Sequence, residues 1–77
     1  MPSERDPRKD PKPGDVLFGN NGGRKERRTV TAVAAKMVMY TRGKRADGYM
    51  AKGTKSMRPL RSWQSWAKDA EVIHRAD

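Results

Sequence analysis

The chain has 77 residues, 34% of them hydrophobic and 35% charged, with a formal net charge of +9 and no cysteine. A length of this order supports one small domain with a compact core, and the lack of cysteine excludes disulfides and thiolate metal sites. Apolar runs extend for only a few residues, so neither a transmembrane helix nor a secretory signal peptide is expected.

Residues 1–13 contain Pro2, Pro7, Pro11 and Pro13 among charges of alternating sign. That composition predicts a disordered tail, with a single domain over 14–77. Gly14 and Asp15 turn into a first strand near 15–18, where Val16 and Phe18 share a face. Gly19 to Gly23 reads as a turn cluster, and Arg24, Lys25, Arg27 and Arg28 continue it as a basic loop. A second strand is predicted near 28–34 from its Thr and Val content. Val30 and Val33 are three apart, so a bulge near Thr31 or Ala32 is needed for both to face inward.

Ala35 and Lys36 form a tight turn or part of a longer loop, since neither residue favours positive φ. The third strand is expected near 37–42. Asp47-Gly48 is a hairpin signal, returning the chain as a fourth strand near 49–57. A two-residue turn there pairs Val38 with Met57 and Tyr40 with Lys55.

Leu60, Trp63, Ala67 and Ala70 recur at helical spacing, and Pro59 suits a first helical position, so a helix is predicted near 59–68. Three turns are marginal in isolation, so this helix must be packed, with the two tryptophans filling the core. A stacking platform for bases is the alternative role for one of the two rings. Val72 and Ile73 give a last strand near 71–74. The sum is mainly β with one short helix, a small barrel in which the helix covers an open end.

The charge is unevenly placed. Residues 24–61 hold twelve Lys or Arg against two acids, Glu26 and Asp47, and the remaining residues hold six basic and seven acidic groups. The whole excess lies mid-chain, where it attracts polyanions. Catalytic constellations are missing from the sequence. His74 has no second His or Cys to complete a metal or acid–base site. Asp15, Asp47 and Glu71 are scattered and read as turn or surface residues. Ser62 and Ser65 have no base, and no Gly-Lys-Ser/Thr follows the glycine cluster. A non-enzyme without cofactor or small-molecule substrate is expected.

Lys12-Pro13-Gly14-Asp15-Val16-Leu17-Phe18, a glycine-bearing loop, Thr29-Val30-Thr31-Ala32-Val33 and then Met37-Val38-Met39-Tyr40 resemble the opening of KOW and other SH3-like domains. The resemblance implies an SH3-like β-barrel, a fold many of whose members bind RNA, DNA or the transcription and translation machinery. The ending, with Leu60-Arg61-Ser62-Trp63, Trp66-Ala67 and Ala70-Glu71-Val72-Ile73, resembles small accessory proteins of tailed phages and prophages.

The expected function is therefore a monomeric, cytoplasmic nucleic-acid-binding module that contacts phosphates with little sequence specificity. Its candidate contacts are Arg24, Lys25, Arg27, Arg28, Arg42, Lys44, Arg45, Lys52 and Lys55, with Tyr40 or Tyr49 stacking a base. Two other roles remain open. One is docking of the basic face on an acidic patch of a host polymerase, nuclease or defence complex; the other is a minor virion or assembly component.

Overall fold

The computed structural model describes residues 5–44 and 53–76. Five antiparallel strands and one helix follow in the order β1 (Val16–Asn21), β2 (Arg24–Ala34), β3 (Met37–Gly43), β4 (Thr54–Pro59), α1 (Leu60–Ala67) and β5 (Glu71–His74). They form one sheet in the order β4-β3-β2-β1-β5. The fold is thus mainly β, a small barrel-like domain whose sheet is not closed, with β4 and β5 as its two edges. No helix among the described residues is long and apolar enough to cross a membrane.

The β1–β2 turn is tighter than the expected loop. Gly19, Asn20 and Asn21 are strand, paired with Glu26, Lys25 and Arg24. Only Gly22 and Gly23 turn, at φ of +63° and +86°, a conformation that glycine adopts without Cβ strain. The basic loop is therefore strand as well. Between β2 and β3 the register slips between Val30 and Ala32, the expected bulge. Thr31 is the extra residue, and its Oγ1 donates to the Met39 carbonyl at 3.2 Å. Val30 is buried, whereas Val33 keeps 36% of its surface exposed, so the bulge brings only one of the two valines fully inside.

Ala35 and Lys36 do make a two-residue turn, and both adopt positive φ, +52° and +61°. The β3–β4 register departs from expectation by one residue. Val38 faces Arg58 and Tyr40 faces Ser56, which leaves Met57 opposite Met39 and Lys55 opposite Thr41. A one-residue offset moves every β4 side chain to the other face. The Asp47-Gly48 turn and residues 49–52 of the expected strand lie outside the described residues.

Helix α1 packs over β1, β3 and β4, and its buried residues are Trp63 and Ala67. Pro59 stands as the N-cap and supplies no side-chain bond; the carbonyl of Lys36 accepts the Leu60 N–H at 2.8 Å instead. One orphan donor of the first turn is thus satisfied by the neighbouring hairpin. Leu17, Val30, Val38, Tyr40, Trp63, Ala67 and Ala70 form the core, with Leu60, Trp66 and Val72 packed against it.

Residues 5–13, expected as a tail, lie against the domain. The Trp63 indole N–H donates to the Pro7 carbonyl at 3.0 Å, Arg8 Nε donates to the Ala70 carbonyl at 2.9 Å, and Gln64 Nε2 to the Lys9 carbonyl at 2.9 Å. Proline prevents regular structure there, but the Pro7 and Lys9 carbonyls are free to satisfy side-chain donors that the helix presents.

Asp15 is fully buried and ties the two ends of the chain together. Its carboxylate accepts Arg5 Nη1 at 2.6 Å and Nη2 at 2.9 Å, the Lys12 N–H at 2.8 Å and the Ala76 N–H at 2.7 Å. The sequence reading of Asp15 as a turn or surface residue is therefore corrected. Local sequence gives no sign of an arginine ten residues upstream.

Candidate nucleic-acid interface

The nine candidate cations separate into distinct environments. Arg24, Lys25, Arg42 and Lys44 line one hollow of about 370 Å³, shared with Asn21, Glu26, Gly43 and Thr54. The tight Gly22-Gly23 turn positions the first two, and the β2–β3 pairing brings Arg42 opposite Arg28. Arg24, Lys25 and Lys44 are exposed, and Arg42 is half-buried.

Among the described residues one carboxylate, that of Glu26, lies with them, and it is already engaged. Its Oε2 accepts Arg28 Nε at 2.6 Å, and its Oε1 accepts Asn21 Nδ2 at 3.2 Å, with Arg42 Nη1 at 3.9 Å. Arg28 compensates the charge of Glu26, so the exposed Arg24 and Lys44 keep a field little reduced.

Arg27 and Arg28 are not surface contacts. They retain 4% and 5% of their exposure. The Arg28 guanidinium stacks between Trp66, 4.1 Å from its ring centroid, and Tyr40, 4.6 Å away. Arg27 is packed so closely on Gly43 that a Cβ there would collide with its guanidinium. Consecutive residues of a strand point to opposite faces, and here each face takes one arginine inward. The planar, weakly hydrated guanidinium suits such burial better than an ammonium.

Tyr40 is likewise unavailable to a base. It is buried, with its ring against Arg28 on one side and Trp63 at 5.5 Å on another. Trp66, half-buried, spends a ring face on Arg28. Both indoles therefore act as core. Lys55 is exposed but lines a different groove, over β3 and β4. Arg45, Lys52 and Tyr49 lie outside the described residues.

Further cations gather elsewhere. Arg8, Lys9 and Lys68 flank a hollow beside α1, where Asp6 pairs with Arg8 at 3.3 Å. Arg61 and Lys36 meet at the start of the helix. Sequence reading passed over these because they are dispersed along the chain. Among the described residues, the hollow lined by four cations is the one at the end of the sheet, with Arg24, Lys25, Arg42 and Lys44.

Fold and site define a small open antiparallel sheet, braced by one helix, that gathers cations at the β1–β2 turn and the end of β3. No family model matches the chain, and no curated protein and no solved structure matches it.

Proposed function

We propose that the protein binds nucleic acid through phosphate contacts at this cationic end. The observation that carries the reading is that Arg24, Arg42 and Lys44 line one hollow, with Lys25 at its margin over the Phe18 ring, and that the one carboxylate of the lining among the described residues, Glu26, is held by Arg28. Arginine offers bidentate contacts to phosphate, and lysine a point charge. Four cations dominate the described lining, so affinity is mainly electrostatic and tolerant of sequence. The resemblance of the Leu60–Ile73 stretch to small phage and prophage proteins supports an accessory role in an infected cell.

The test is a polarisation titration with labelled oligonucleotides at several salt concentrations. Three or four neutralised phosphates give a slope of log K against log salt of about −3. Reversing Arg24 and Lys44 (R24E, K44E) flattens that slope by about two and weakens all sequences alike. A variant that binds with unchanged affinity and slope would remove this surface from consideration. Stoichiometric capture of one acidic protein, insensitive to nuclease, with no affinity for oligonucleotides, would replace nucleic acid by a protein partner.

A further inference from the structure

A groove of about 610 Å³ runs over the β3–β4 ladder, lined chiefly by Thr31, Met39, Thr41, Lys55, Ser56 and Met57. Its chemistry differs from that of the cationic hollow. Met39 and Met57 face one another across the ladder, and Met57 leaves 53% of its surface exposed. The bulged Thr31 is held at the rim by its bond to the Met39 carbonyl. Thr41 Oγ1 has no hydrogen-bond partner. Lys55 is the one charged residue of the lining among the described residues.

The groove and the hollow adjoin. The Arg42–Thr54 rung lines the hollow, and the next rung, Thr41–Lys55, lines the groove. From Arg42 to Met39 is three residues of strand, about 10 Å. Strand alternation puts those two side chains on opposite faces, so a ligand that uses both passes over the edge strand β4.

We propose that the groove receives an unpaired base, which makes single-stranded nucleic acid the ligand of this protein. The inference rests on the phosphate-binding reading above. An extended single strand lays phosphates on Arg42 and Lys44, crosses the β4 edge and turns a base onto Met39 and Met57, with Lys55 on the next phosphate. The methionine thioethers are polarisable and pack on ring faces. Such contacts accept any base, because every base has a π-face. A duplex keeps its base faces stacked inside the helix and offers the groove nothing apolar.

The experiment compares oligo(dT) of about 20 nucleotides with a duplex of equal length, each titrated against wild type, Met57→Ser and Met57→Leu. Duplex has the higher charge density, so a surface acting by charge alone prefers it. The expected result is single strand bound tighter than duplex by about tenfold, with Met57→Ser losing about fivefold or more of that affinity, Met57→Leu keeping it, and duplex binding unmoved by either. Met57 is exposed, and the folding of both variants is checked by their urea transitions. Duplex bound as tightly as single strand, or Met57→Ser indistinguishable from wild type on oligo(dT), overturns the inference and leaves the phosphate-binding reading in place. Absence of binding to either probe overturns both.

Discussion

The guanidinium of Arg28 lies 4.1 Å from the ring centroid of Trp66, sealed beneath the sheet–helix contact. The pairing joins β2 to α1 through a cation and an aromatic face rather than through two apolar side chains. It also closes the most basic run of the sequence, Arg24 to Arg28, which is exposed at Arg24 and Lys25 and buried at Arg27 and Arg28. Glu26 completes the arrangement at 2.6 Å.

Removing Arg28 therefore acts on stability. Arg28→Ala leaves Glu26 without its main partner and opens space between two rings, at an expected cost of about 3 kcal/mol. Arg28→Lys restores the charge but not the planar stack, and recovers less than half of that, about 1 kcal/mol. Urea denaturation measures both. In the folded variants Arg28→Ala also weakens oligonucleotide binding severalfold, because Glu26 is left uncompensated among the cations, whereas Arg28→Lys keeps the charge and with it most of the affinity.

Asp15 gives the fold an acid limit. Burial alone raises the affinity of its carboxyl for a proton, but the Arg5 side chain, the Ala76 and Lys12 N–H groups and the Arg5 charge outweigh that, so its pKa lies below the ordinary value. The folded state then binds the proton less readily than the unfolded chain. Its stabilisation is fully present above the unfolded pKa of about 3.9 and is lost as pH falls through the lower, folded value. Asp15→Asn is expected to cost about 3 kcal/mol at neutral pH and to flatten this acid limb. Arg5→Ala has a similar cost, and the double variant falls short of the sum by at least about 1 kcal/mol. Urea midpoints from about pH 2 to pH 7, which reach well below the unfolded pKa of about 3.9, decide it.

The Ala35-Lys36 turn stores strain. Each residue sits at positive φ without a glycine's freedom, at roughly 1 kcal/mol apiece. Replacement by Asn-Gly, the preferred pair for such a turn, is expected to raise stability by about 1–2 kcal/mol in thermal or urea unfolding. The Lys36 carbonyl that holds Leu60 is backbone, so the helix start is retained.

Gly19 reports how closely β1 meets the segment after α1. A Cβ added there stands 2.9 Å from Ala70 Cβ and 3.2 Å from a Trp66 ring carbon. Gly19→Ala is expected to cost about 1–3 kcal/mol by overpacking and to shift tryptophan fluorescence as Trp66 is displaced. Gly22→Ala meets no neighbour but forces alanine to positive φ, at about 1 kcal/mol with the emission unchanged.

By itself the sequence determined the kind of elements and their order. Thr-Val content, helical spacing from Leu60 to Ala70 and glycine at Gly22 and Gly23 are local signals, and local sterics enforce them wherever the chain goes. Net charge and its mid-chain bias were equally legible. The tertiary structure decided which charges are available. Arg27 and Arg28 look like their neighbours Arg24 and Lys25 in composition, and only strand alternation against a particular helix and a particular glycine takes them inside. The same holds for Asp15, whose partners are Arg5, Lys12 and Ala76, brought to one point from opposite ends of the chain. The register of β4 was beyond local reading because a shift of one residue exchanges its two faces, and with them the positions of Met57 and Lys55. Burial and pairing are properties of contacts distant in sequence, which no local pattern encodes.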